Sequence, residues 1–398
     1  MKIRNILQNI LMLGFSLIFA LVVLEIALRI IPRGEDRRME REQKSLRRDN
    51  EYAFYEYDRV LGWKNKPLAE GKFRMPDSTT YVKINSKGLR DEEYPYEKSP
   101  DKVRILVLGD SFVWGYGVEK EEIFTERLET MLGPKFESLN AGVSGYGTDQ
   151  ELLFLENEGI KYKPDIILLA FASNDFMFDN RKDKLGYYPK PLFIMKDDTL
   201  ELTNVPLPDL KRDKWKALEE QRSKELERVS LSQKSPRKKG IKGFLKSHTR
   251  TYPFLSRAIK NLKYSLLRKM KSCPVTAKAI GKLRSSSDGG SEELDVTKAI
   301  LLRMNNLANK IGAKLVIFII PYKCALEKLP NPYIAEFIEF FKENDIPSNY
   351  PYESYLGKIQ KGEKLYLNYD DHWNPAGHQL AAEEIYLFLK KKNLVKAK

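Results

Sequence analysis

The sequence predicts an α/β protein whose parallel sheet is covered by helices on both faces. Three observations carry that prediction. Aliphatic runs too continuous for half-exposed strands recur at Val103–Leu108, Asp165–Phe171 (DIILLAF) and Lys314–Pro321 (KLVIFIIP), with a shorter one at Phe136–Ala141; strands buried on both faces read this way. Segments with helical apolar spacing lie between them, at Ile123–Leu132 and from Asp149 to about Glu158, giving the strand–helix alternation of a parallel sheet. At 398 residues, 42% hydrophobic and 11% aromatic, the chain can bury a large core and still carry appendages.

Taken in order, the first element is a candidate membrane anchor within residues 1–32. Ile6–Leu24 (ILQNILMLGFSLIFALVVL) is a run of 19 residues without a charge, flanked by Lys2 and Arg4. About 20 apolar residues cross a bilayer as a helix. No A-x-A-like site follows, so an uncleaved single-pass helix is expected rather than a removed signal peptide. Lys2, Arg4 and the terminal amine place the N-terminal side in the cytoplasm, whereas Arg33, Arg37, Arg38 and Arg41 make the opposite claim. Charge alone leaves the orientation open.

Residues 33–50 are highly charged without sustained apolar periodicity and read as a juxtamembrane linker. Residues 51–100, with LGWKNKP and YVKINSKGLRDEEY, suggest short strands and turns forming a small pre-domain packed on the core. The first part of the core spans 101–205 and the second 291–398, ending in a helix after Pro375. Between them, 206–290 is a basic insertion with helical stretches such as GFLKSHTRTYPFLSRAIKNLKYSLLRKM, and its end, SSSDGGS, reads as a flexible linker.

The formal charge of +14 belongs to that insertion. Lys211–Asp288 holds 23 Lys/Arg against 6 Asp/Glu, a net of +17, which leaves −3 for the remainder. No nucleic-acid motif accompanies the charge, so no nucleic-acid partner is expected. A solvated helical cap and a surface facing a membrane or an anionic substrate both fit the composition. The two cysteines, Cys273 and Cys324, have no CxxC pair and no Cys/His cluster around them, so no metal site is expected.

In doubly wound sheets, ligands bind outside the carboxyl ends of the strands. The strand after Val103 ends in Gly109-Asp110-Ser111, the second in Asn140-Ala141-Gly142-Val143-Ser144-Gly145, and the third in Ala172-Ser173-Asn174-Asp175. A fourth polar segment, Tyr369-Asp370-Asp371-His372-Trp373-Asn374-Pro375, precedes the last helix. Each alone is compatible with an ordinary turn or cap. Converging at one edge, they supply a hydroxyl nucleophile, an imidazole with acidic neighbours, and polar groups for an anion.

On these four blocks, in this order, the chain resembles the SGNH/GDSL hydrolases over roughly 101–180 and 293–391. The resemblance implies a three-layer α/β/α, flavodoxin-like fold. It places the nucleophile on Ser111 (GDSF), an oxyanion-hole glycine on Gly145 (VSGYGT), a further oxyanion donor on Asn174 (ASNDF) and the general base on His372 (DDHWNPAGH). Two departures stand out. Ala172 occupies a usual glycine position two residues before Asn174, and Tyr369 stands three before the histidine, where the family commonly has its acid. A related D-x-H-W pattern, found in envelope proteins that acetylate polysaccharides, favours Asp370 over Asp371.

The expected triad is therefore Ser111, His372 and Asp370, with oxyanion donors from the Ser111 and Gly145 backbone N–H groups and the Asn174 amide. A serine hydroxyl needs a neighbouring imidazole to take its proton, and the acid sets the tautomer. Of the other two histidines, His248 lies in the insertion and His378 in the first turn of the last helix, suited to packing or capping. The expected activity is hydrolysis of acyl esters, O-acetyl groups included, on an envelope glycan or a lipid, without metal or organic cofactor. An O-acyltransferase using the same residues and a non-catalytic binding protein on the same fold are the alternatives. The resemblance favours a catalytic domain outside the cytoplasm.

Overall fold

The computed structural model describes residues 53–75, 79–172, 189–208, 289–327, 332–368 and 370–395, together with four residues near the N-terminus. By backbone proximity the chain divides into two units, Met1–Glu42 with Lys211–Lys271, and Gln43–Leu210 with Ser272–Lys398. Every element named below belongs to the second. All but four residues of the expected anchor, the linker and nearly all of the basic insertion lie outside the described residues, as do Cys273 and the side chain of Cys324. Among the described residues, no helix is long and apolar enough to cross a membrane.

Two antiparallel hairpins come first. β1 (Tyr55–Asp58) pairs with β2 (Gly62–Asn65), and β3 (Glu70–Arg74) pairs with β4 (Thr79–Lys83). Phe54, Phe73, Met75, Val82 and Ile84 form an apolar cluster that also takes in Trp114 and Leu367. The short strands expected within 51–100 are thus present, and they seat on residues flanking two of the polar blocks.

The main sheet has five strands, all parallel: β5 (Val103–Gly109), β6 (Phe136–Asn140), β7 (Ile166–Phe171), β10 (Lys314–Ile319) and β11 (Ser348–Asn349). Between β7 and β10 in sequence, β8 (Phe193–Lys196) and β9 (Thr199–Leu202) make a separate hairpin. The spatial order of the main sheet is β11-β10-β7-β5-β6. Numbered from its first strand this is 5-4-3-1-2, the flavodoxin-like order, whose switch point lies between β5 and β7.

Eight helices pack around the sheet among the described residues: α1 (Ser111–Trp114), α2 (Phe124–Leu132), α3 (Thr148–Asn157), α4 (Gly289–Lys310), α5 (Lys323–Glu327), α6 (Pro332–Glu343), α7 (Tyr352–Gln360) and α8 (Pro375–Lys391). Alternate strand residues serve opposite faces. Leu106, Leu108, Ile167, Leu169, Leu315 and Ile317 meet Leu152 and Leu155 of α3, Ile300 and Met304 of α4, and Phe337 and Phe341 of α6. Ile105, Val107, Leu168, Val316 and Phe318 meet Phe112 of α1, Leu128 of α2, Tyr355 of α7, and Ile385 and Leu389 of α8. Both faces are therefore dry, which explains the unbroken aliphatic runs.

Two local expectations are corrected. Of the SSSDGGS segment read as linker, Gly289, Gly290 and Ser291 already lie in α4, which begins at Gly289, and residues 285–288 lie outside the described residues. Burial of Leu294, Val296, Ile300 and Leu301 supplies the tertiary packing that weak helix formers lack. The fifth strand, β11, was not expected; at two residues between Pro347 and Pro351 it has no periodicity to read.

His378 belongs to this scaffold. It is 1% exposed and stacks on Phe124 at 6.1 Å between ring centres. Its Nδ1 accepts the Phe124 backbone N–H at 3.4 Å, so Nε2 carries the proton. Burial, with Arg127 and Arg90 nearby, pushes its pKa down to about 3. A depressed histidine pKa favours the neutral native state, so this contribution is whole above the unfolded value near 6.5 and is lost as pH falls toward about 3. Replacement by Gln removes the titration. The slope of unfolding free energy against pH between 6 and 4 should then be shallower by up to about 1.4 kcal/mol per pH unit; parallel slopes for His378→Gln and wild type, measured by denaturant titration, would contradict the assignment.

Candidate active site

Strand β5 ends at Gly109, and the chain turns at once into α1. Asp110 is the N-cap: its carboxylate accepts the Phe112 N–H at 2.9 Å and is buried, so it shapes the turn. Ser111 is the first residue of the helix, half-buried, and its carbonyl accepts N–H groups of Gly115 and Tyr116, each at 3.1 Å. Gly115 closes the helix with φ 80°, a conformation that glycine adopts without penalty.

The imidazole comes from a ribbon far along the chain. Tyr366 bridges Trp373 in antiparallel fashion, Leu367 N–H donates to His372 O at 2.9 Å, and Asn374 N–H donates to Leu365 O at 3.1 Å. The Asn374 side chain then caps α8, accepting Gly377 N–H at 3.0 Å. Gly377 carries no side chain because a Cβ there would strike Leu365 O and Trp373. Successive residues of an extended ribbon face opposite ways. Trp373 is fully buried in the core, whereas His372 turns toward Ser111.

These pieces meet. Ser111 Oγ lies 2.5 Å from His372 Nε2. His372 Nδ1 is hydrogen-bonded to Asp370 Oδ1, which also accepts the His372 backbone N–H at 3.1 Å. The acceptor at Nδ1 fixes the proton there and leaves Nε2 free to accept from the serine hydroxyl. The Tyr116 ring stacks on the imidazole at 4.5 Å and 27°, and the Phe112 ring contacts it at 4.8 Å. The His372 and Asp370 side chains keep 19% and 13% exposure, so the line is sheltered yet open at one side. Asp371 points elsewhere: its side chain is 59% exposed and lies 3.9 Å from Lys323 Nζ.

Gly145 sits in the loop after β6. Ala141 N–H donates to Val107 O at 2.9 Å and Val143 N–H to Gly109 O at 3.1 Å, which carries the pairing with β5 past the strand end. Gly142 lies so close to α1 that a Cβ would collide with Trp114 N. Gly145 itself adopts φ +90°. Among the described residues, neither the Ser111 nor the Gly145 backbone N–H has a hydrogen-bond partner. Both are available to an incoming oxygen. Asn174 lies outside the described residues, which stop just before it at Ala172, itself fully buried.

Sequence reasoning passed over several residues of this region. Asn140 joins the two halves of the site: its Oδ1 accepts Gly142 N–H at 3.0 Å and its Nδ2 donates to Val113 O at 2.8 Å. Arg90 and Tyr116 also contact the site residues directly or through α1. Their environments depend on tertiary packing, and no spacing rule announces them. Among the described residues, no group of three His, Cys, Asp or Glu could hold a metal ion.

Comparison with protein families and with curated proteins finds no match. Solved structures to which the chain is similar include the psychrotrophic esterase EstA from Pseudoalteromonas (14% identity, 73% of this chain and 98% of that one, TM-score 0.36). The lipase/acylhydrolase from Enterococcus faecalis is another (13% identity, 74% and 98%, TM-score 0.35). A third is a protein assigned to the G-D-S-L lipolytic family from Desulfitobacterium hafniense (10% identity, 72% and 100%, TM-score 0.35). At likenesses of this size, any functional reading rests on the site's own geometry.

The geometry separates the two candidate acids. Asp370→Asn should slow labelling of Ser111 by a fluorophosphonate by about a hundredfold or more, because the amide no longer enforces the required tautomer. Asp371→Asn should change the labelling rate by less than about threefold, as expected of an exposed charge. Equal effects, or a larger one at 371, would reverse the assignment.

Proposed function

We propose that the chain is a serine esterase of the SGNH/GDSL type, cleaving acyl esters through an acyl-enzyme on Ser111. One observation carries the reading: a serine hydroxyl, an imidazole and a carboxylate lie in a single hydrogen-bonded line at the carboxyl edge of a parallel sheet. The Ser111 and Gly145 backbone N–H groups, without hydrogen-bond partners among the described residues, add support.

The chemistry follows from the atoms. As Ser111 Oγ attacks the acyl carbonyl carbon, its proton passes to His372 Nε2, and the imidazolium is held by Asp370. The carbonyl oxygen gains negative charge and takes hydrogen bonds from the Ser111 and Gly145 N–H groups, with the Asn174 amide as the third donor. Losing one such donor typically raises the barrier by about 3 kcal/mol. The imidazolium then protonates the departing alcohol oxygen. A water molecule, deprotonated by the same nitrogen, attacks the acyl-serine, and the carboxylic acid leaves as Ser111 recovers its proton. Glycine at 145 suits this role because its backbone must approach the substrate closely.

The substrate class we infer is an acyl ester of an envelope glycan or lipid, small acyl groups such as acetyl included. The uncharged run Ile6–Leu24 motivates a single-pass membrane anchor, and the resemblance to the SGNH/GDSL hydrolases favours a catalytic unit outside the cytoplasm. The D-x-H-W arrangement of Asp370, His372 and Trp373 favours a second reading, in which a sugar hydroxyl replaces water and the acyl group is transferred. Acylated sugar, rather than free acid alone, would mark that outcome.

The chain in detergent should release acid from a short-chain nitrophenyl ester, and Ser111→Ala should reduce the rate by at least about a thousandfold. Turnover that survives this substitution would remove Ser111 from the reaction. A C-terminal reporter active only outside the cytoplasm should be active; a silent reporter with intact protein would reverse the orientation.

A further inference from the structure

We propose that the segment preceding the sheet positions both backbone donors of the anion-binding site: Arg90 holds the turn that bears Ser111, and Trp63 with Asn65 holds the loop that bears Gly145. The inference deepens the esterase reading and rests on it. These three side chains act through the backbone they grip, so they are positioning residues.

A helix of four residues satisfies few of its own carbonyls, and its C-terminal end needs donors from outside. In α1 those donors are side chains. Val113 O accepts Asn140 Nδ2 at 2.8 Å. Trp114 O and Gly115 O accept Arg90 Nη1 at 2.9 and 2.6 Å, and Val118 O accepts Arg90 Nη2 at 2.8 Å. The guanidinium carbon sits 4.7 Å from the centre of the Trp114 ring. Arg90 is 1% exposed, and burial lowers its pKa only to about 10, so it carries its charge at neutral pH. Placing a charge in a dry interior is costly unless its geometry is well satisfied. Here Nη1 and Nη2 of the rigid fork span carbonyls from 114 to 118, which a flexible ammonium cannot reproduce, while Nε is buried with no hydrogen-bond partner among the described residues.

The Gly145 loop is gripped in the same manner. Asn65 Nδ2 donates to Gly142 O at 3.0 Å, and Trp63 Nε1 donates to Ser144 O at 3.0 Å. Tyr146 Oη donates back to Trp63 O at 2.7 Å. The loop is thus tied at 142, 144 and 146, on both sides of Gly145. Asp91, next to Arg90, accepts Asn140 N–H at 2.8 Å and secures the strand end from which the loop departs. Arg90, Asp91, Trp63 and Asn65 all lie outside the five-stranded sheet, and Asn140 is the last residue of its strand β6. Their bonds converge on the two short segments whose separation sets the width of the oxyanion site.

A scaffold role alone would change how much chain folds, whereas a positioning role changes what each folded site does. The test uses the full chain, with Arg90→Lys and with Trp63→Phe, which keeps an aromatic ring but removes the N–H to Ser144 O. Active sites are counted by fluorophosphonate titration, kcat per titrated site and KM are measured on a nitrophenyl ester, and Ki is measured for an alkyl boronic acid, which mimics the tetrahedral state. Each variant should keep KM within about twofold while kcat per site falls about 10- to 100-fold, since misplacement of about 1 Å has that effect. The boronic acid Ki should rise by the same factor as kcat/KM falls. Unchanged kcat per site in Trp63→Phe, or activity lost only in proportion to titrated sites, would overturn the proposal, even if Arg90→Lys fails to fold. A wild-type chain that is not labelled at Ser111 would instead overturn the esterase reading beneath it.

Discussion

The proposed chemistry depends on one hydrogen bond between groups 261 positions apart, from Ser111 Oγ to His372 Nε2. Neither residue is placed by its own polar contacts alone. Phe112 and Trp373, the residues that follow each of them, pack edge to face in the core with ring centres 4.8 Å apart. An aromatic pair of this kind is worth about 0.5–1.5 kcal/mol beyond its burial. Alternation of side chains along the ribbon, and the tight entry into α1, then bring the serine and the imidazole together on the outer side. The core packing thereby sets the distance over which a proton moves.

Around that line the protein spends buried polar groups where the sheet itself offers no support. The carboxyl ends of parallel strands leave the chain without ladder partners, so the turns after β5 and β6 need donors and acceptors from elsewhere. Asp110, Asn140, Asp91 and Arg90 supply them, each nearly or fully buried and each bonded to a main-chain group of these turns or their neighbours. Where no side chain fits, glycine stands instead, as at 142 and 377, which lets two backbones touch. The site is a set of short main-chain segments pinned by buried side chains, most of them from outside the sheet.

Much of the scaffold was legible in the sequence because burial on both faces leaves a strong imprint. The runs at 103–108, 165–171 and 314–321 became adjacent central strands, and the helices after 123, 148 and 375 appeared within a residue of their expected starts. The serine and histidine blocks could be read because each joins unusual residue types at a strand or helix end. The D-x-H-W pattern already favoured Asp370 over Asp371, and the ribbon geometry directs the first carboxylate to the ring and its neighbour to Lys323. Arg90, Trp63 and Asn65 were illegible, since a buried arginine has no periodic signature and its carbonyl partners are known only once the turn exists. Strand β11 was too short to leave a pattern, and helix α4 started earlier than its glycines suggested because packing outweighs propensity there.

The most direct measurement is a crystal structure of the chain after reaction with an alkyl phosphonate ester. The account predicts phosphorus bonded to Ser111 Oγ, with one phosphonyl oxygen about 2.7–3.1 Å from both the Ser111 and Gly145 nitrogens and His372 Nε2 beside the ester oxygen. An adduct on another residue, or one on Ser111 whose phosphonyl oxygen faces solvent away from both amides, would contradict it.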